Sequence, residues 1–162
     1  MATISKVKII DDRDLRGEID NIYEKTDQIP LAKWAIECAK NVLTCVPDEN
    51  IDLSIIEIGF EINKRWQAGK ASVHEVRQAG FKIHELARAC STEVTKNAIR
   101  TAGQAIGVGH MREHAMVCAD YAIKTIGLAF HKDLNRIKAE RIWQLETLKK
   151  IIAKEREEPQ TE

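Results

Sequence analysis

The segment Gly109-His110-Met111-Arg112-Glu113-His114 places two imidazoles four residues apart, with a carboxylate directly before the second. As a pattern it reads H-x-x-E-H, the signature of inverted zinc proteases. On an α-helix, positions i and i+4 lie on one face, so His110 and His114 can share one metal ion. A zinc site needs at least three protein ligands. An inverted zinc protease takes its third from a carboxylate far downstream. Here only 48 residues (162 minus 114) follow His114, and Glu140 and Glu146 sit in no supporting motif. Cys118 lies eight residues past His110, too far along a straight helix to share a metal with both histidines, which leaves His84 as the better third ligand. A divalent metal on His84, His110 and His114, either structural or serving a hydrolase, is therefore one reading. The favoured reading is that the histidines hydrogen-bond neighbouring groups and fix helix packing, because the ligand count stays short. No catalytic residue and no other cofactor are expected. His74 and His131 read as exposed.

Arg141 poses a second chemical question. It falls on the apolar stripe Leu134, Ile137, Leu145, Leu148 and Ile152 of the last helix. A guanidinium at a core-facing position needs partners, for which Asp120 and Glu113 are the candidates, or it must snorkel to solvent at the bundle edge. If Arg141 stands near the histidines, its charge opposes their protonation, so at least one of His110 and His114 is expected to be neutral at pH 7.

The elements that must position these groups are helices. Three prolines punctuate the chain, at 30, 47 and 159, and the one strand-like run, Val7 to Ile10, is too short to make a sheet. A first helix is predicted over about 12–26 and a second from Pro30 through the stripe Leu31, Trp34, Ala35, Cys38, Val42 and Cys45. Asp52 is expected to cap a third helix with the face Ile55, Ile58, Gly59, Ile62 and Trp66, stopped by Gly69. Ser72 and Glu75 form a capping box for a fourth, with Val73, Val76, Gly80, Ile83, Ala87 and Cys90 inward. A fifth starts near Ser91 or Thr92. Its small inner residues Ala98, Ala102, Gly103, Ala105 and Gly107 place it centrally, with a break at Gly107 to Gly109. A sixth carries Met111 to Ile126, and Asp133 caps the seventh. In this arrangement the glycines let the fifth and sixth helices approach, and the histidines tie the sixth to the fourth or seventh. The expected fold is all-α: one compact bundle of six to seven helices. Residues 1–27 are expected to be a charged segment that includes the first helix and packs on the domain, 28–153 the helical core domain, and 154–162 a fraying tail.

Composition narrows the function. Lys+Arg and Asp+Glu are 25 each, and no basic stripe stands out to follow a phosphate backbone, so nucleic-acid binding is not expected. No apolar run approaches spanning length, and the opening segment has no apolar signal region, so a cytoplasmic, non-membrane protein is expected. There the four cysteines, without any C-x-x-C, read as reduced, small buried hydrophobes.

Five strings carry a family resemblance: WAIECAKNVL (34–43), KIHELAR (82–88), RTAGQAIGVGHMREHA (100–115), ADYAIK (119–124) and ERIWQL (140–145). Through them the chain resembles, over about 28–148, the immunity proteins of bacterial polymorphic-toxin systems, in the small all-helical family grouped as immunity-protein-five-like. Its glycines in GQAIGVGH, where the family pattern is richer in alanine, and its charged segment 1–27 depart from that pattern. The resemblance implies a binding protein that neutralises a cognate toxin, not an enzyme, and it marks His84, His110, His114, Arg141, Trp143 and Gln144. Immunity proteins against nucleases tend to be acidic, so this chain's neutrality argues against a nuclease as the toxin. The interface and the oligomeric state are not legible.

Overall fold

The computed structural model describes residues 2–47 and 51–158. Among the described residues it holds seven helices and no strand: α1 Arg13–Glu24, α2 Gln28–Leu43, α3 Ser54–Gln67, α4 Val73–Arg88, α5 Glu93–Gly107, α6 His114–Ala129 and α7 Leu134–Glu157. None of them is long and apolar enough to cross a membrane.

Local chemistry starts and stops these helices. Asp12 caps α1 by accepting from the Leu15 amide, and Thr92 caps α5 by accepting from the Thr95 amide. The Ser72–Glu75 capping box forms in both directions. Asp133 accepts from the amides of Asn135 and Arg136 at the start of α7. Gly69 ends α3 in the left-handed region at φ 75°. Asp52 accepts from the Ser54 amide although Leu53, not Asp52, occupies the cap position of α3. α7 stays helical through Glu157, so the fray expected over 154–162 does not begin at 154, and 159–162 lie outside the described residues.

α5 is the axis of the bundle and packs most extensively on α6, α4 and α2. Ten of its fifteen residues are buried, most of them small. Such a helix can be surrounded because its own side chains keep few neighbours away. Its buried polar residues turn back on the helix: Thr101 donates to the Asn97 carbonyl and Asn97 to the Glu93 carbonyl. One apolar cluster draws on all seven helices, and a smaller one joins Val42, Ala122, Ile123, Ile126 and Ile137.

Three expected faces are rotated or trimmed. α3 buries Ile56, Gly59, Phe60 and Asn63, while Ile55 and Ile58 face solvent. Gly59 does approach α4 as expected, where a Cβ would stand 2.7 Å from the Ile83 side chain, but Ile56 and Phe60, not Ile55 and Ile58, turn inward beside it. Val73 and Leu134 are also exposed, because each is the first residue of its helix, outside the packed turns.

Candidate functional site

Arg141 is fully buried and does not snorkel. Its Nε and Nη2 donate to the two carboxylate oxygens of Asp11 at 2.9 and 2.6 Å. Nη2 also donates to Asp120 at 2.8 Å and Nη1 to the Gln144 side chain at 2.9 Å. Asp120 in turn accepts a bidentate pair from Arg16, each at 2.9 Å. The result is an alternating row, Asp11, Arg141, Asp120, Arg16, which balances its own charge. Burial opposes the Arg141 charge, yet the hydrogen bonds and charges of Asp11 and Asp120 outweigh it and raise its pKa. Of the two expected partners, Asp120 is present. Glu113 is not: it is exposed at the start of α6.

The rest of the ER-x-WQ string is also committed. Glu140 accepts from Asn41 on α2, and burial raises its pKa against the opposing effects of that bond and of Arg141. The Gln144 side chain donates to the Ala119 carbonyl, and its backbone carbonyl accepts from the buried Trp34 indole. Trp143 is half-buried against the main core. Thr3 binds Asp20 and Arg16, so the extended N-terminal stretch is laced to the same network.

The histidine segment does not form one helix. α5 ends at Gly107 and α6 begins at His114, so His110 lies in the connection and the i, i+4 face does not exist. In this connection Gly109 lies against Val76 of α4, where a Cβ would meet Cγ1 at 2.6 Å. Arg112 then clamps the connection. It donates to the carbonyls of Tyr23 and Thr26, satisfying the end of α1, and its guanidinium lies 4.4 Å from the Tyr23 ring. Gln28 donates to the Val108 carbonyl.

The three histidines still meet. The His84 ring from α4 rests over Gly103, where a Cβ would lie 2.6 Å from it. The His114 ring rests over Gly107, one turn on, and its Nδ1 is 2.6 Å from Gln104 Oε1. His110 meets His114 edge to face, with ring centres 4.8 Å apart. The histidines therefore tie α4 and α6 to α5; α7 is not involved. Burial is the first cause of lowered basicity in all three. Arg100 and Arg88 add to it at His84, and Arg77 at His110. His114 falls to about 4, with His110, His84 and Lys6 contributing and Glu113 opposing. Arg141 is not among these causes: its charge is already spent on Asp11 and Asp120. Among the described residues no group of three or more His, Cys, Asp or Glu side chains is placed to hold a metal ion.

Sequence reasoning missed Asp11, Arg16, Arg112 and Gln104. The first two lie far from their partners in sequence, and nothing local marks them. The cysteines are free; Cys38 and Cys118 are fully buried, and burial raises the pKa of both thiols. Elsewhere, a groove of about 1160 Å³ runs between the α1–α2 turn and the end of α7, lined by Ile22, Pro30, Trp66 and Ile152 with Lys25 and Arg156 at its edge. It shares no residue with the histidine cluster.

A family model described as Imm-5 like putative immunity protein matches residues 21–151. No curated protein and no solved structure matches the chain.

Proposed function

Because the chain belongs to the Imm-5 like putative immunity protein family, we propose that it protects a bacterial cell by binding a cognate protein toxin in the cytoplasm, without catalysis of its own. One observation carries the reading beyond the family match. Arg141 and Gln144, the charged and amide groups most suggestive of chemistry, are consumed by internal hydrogen bonds. Both side chains are fully buried, and four of the five Arg141 N–H donors are bonded inside the protein, so neither group is presented to a substrate. The activity then resides on the surface, which is where a protein inhibitor works.

The alternative, a metal-dependent hydrolase on His84, His110 and His114, fits less well. His114 Nδ1 is engaged by Gln104, and no carboxylate or thiol among the described residues joins the three rings as a further ligand. The test is co-expression with the product of a large secreted toxin encoded next to this chain. Restored growth and a stable complex are expected. Failure to protect, or reproducible turnover of a substrate by the isolated chain, would overturn the reading. Elemental mass spectrometry of untagged protein purified without chelator is expected to find no stoichiometric zinc, iron or manganese.

A further inference from the structure

We propose that the histidine-lined face of α4, α5 and α6 is where a carboxylate-bearing, acidic segment of the partner protein docks. The inference rests on the toxin-binding reading above and adds to it a place and a chemistry.

The face is a window onto α5. That helix is buried on most sides, and the half-exposed positions of its later turns are Lys96, Arg100 and Gln104, spaced by four and therefore stacked on one side. His84 and His114 flank this stripe from α4 and α6, seated over Gly103 and Gly107. The glycines let the rings lie close against the α5 backbone, and His84, His110 and His114 are each half-buried.

The hydrogen-bonding capacity of the face is unspent. Gln104 engages His114 Nδ1, but no partner among the described residues is bonded to His114 Nε2 or to the ring nitrogens of His84 and His110. The surrounding charges are mostly positive. Arg88 and Arg100 face His84, Arg77 faces His110, and Lys6 faces His114; Glu113 is the acid that faces the group. Lys96 is occupied by Glu93 at 3.4 Å, and Arg77 stands 5.7 Å from the Phe81 ring centre. Arg77, Arg88, Arg100 and Lys6 outnumber the one acid facing the rings, and such an excess of cations is complementary to carboxylates. His84 and His110 can each donate a hydrogen bond when neutral, whereas His114 already gives its one N–H to Gln104 and can donate from Nε2 only when a nearby anion favours its protonation. A nucleic acid is a poorer fit. Residues 72–107 carry five basic and three acidic groups, too small an excess to track a phosphate backbone.

The experiment is an NMR titration of the imidazole signals of the full chain with a hexaglutamate peptide at low salt. Saturable shifts are expected at His84, His110 and His114, with their pKa values rising by about one unit, and none at the exposed His74 and His131. Arg77→Gln combined with Arg100→Gln is expected to weaken binding about tenfold, and His110→Gln provides a second, independent loss. Equal shifts at all five histidines, no saturation, or the same response to a six-nucleotide DNA strand would overturn the proposal. A second arm uses the co-encoded toxin. If the toxin binds wild-type and the variants equally well, the docking site is wrong and the immunity reading stands. If hexaglutamate seats as expected but no toxin is neutralised, the site stands and the immunity reading falls.

Discussion

Two polar clusters sit in this bundle and differ in how their hydrogen bonds are used. In the Asp11–Arg141–Asp120–Arg16 row, every charge faces its opposite and the central guanidinium is fully buried. In the histidine cluster the neighbours are mostly of like sign, and several ring nitrogens have no bonded partner among the described residues. A satisfied network holds helices in one arrangement and offers nothing outward. An unsatisfied one persists only where solvent or a ligand can complete it. The contrast divides the strings that carry the family resemblance: the polar groups of ERIWQL are closed on internal partners, whereas GHMREH combines the Arg112 clamp with imidazoles that keep unbonded nitrogens.

The comparison is most easily broken at Arg141. Arg141→Met leaves Asp11 facing an apolar side chain and should cost about 3–5 kcal/mol, read from urea unfolding. Adding Asp11→Asn should recover part of it; no recovery would mean that shape, not charge, dominates the site. Next come the two glycines. Gly109→Ala drives a Cβ into the stiff, buried Val76 and should cost about 1–3 kcal/mol. Gly103→Ala meets only the His84 ring, the end of a side chain beside an open face. It should swing away, leaving stability within about 1 kcal/mol while shifting the His84 signals. Equal losses for the two would show that the histidine face is as rigid as the core.

A subtler distinction is pH. His114 has its folded pKa at about 4 against an ordinary 6.5, so the unfolded chain binds its proton first. Its contribution is fully present above about 6.5 and is lost as pH falls from there towards 4. Chemical unfolding of wild type and His114→Gln at pH 7 and pH 4 should show the smaller acid loss in the variant. An identical loss would assign acid sensitivity to other groups, with His84 and His110, whose basicity burial also lowers, first to examine. The smallest effect is expected at the surface ion pair of Lys33 and Glu155, where Lys33→Ala should change stability by less than about 1 kcal/mol.

Much of this fold was legible because its signals are local. Ser72 and Glu75, three residues apart, can satisfy each other only at a helix start, and Asp133 and Gly69 mark boundaries in the same short-range way. The small residues of α5 also predicted its central place correctly. Where periodicity alone had to choose, it erred. α3 carries isoleucines on more than one side, and packing buried Ile56 and Phe60 beside Gly59 while leaving Ile55 and Ile58 to solvent. The break at Gly107 to Gly109 was visible, yet its consequence, that His110 and His114 leave a common helix face, required the path of the chain beyond it.

By itself the sequence determined the all-helical class, the caps, the central small-residue helix and the demand that Arg141 find a partner. Each follows from interactions within a few residues or from the cost of burying a lone charge. Only the tertiary structure decided which groups meet. It brought Asp11 to Arg141 across 130 residues of chain and set the His84 ring over Gly103. It thereby closed one polar cluster and left the other open, because a long-range contact depends on how helices pack and not on the residues beside it.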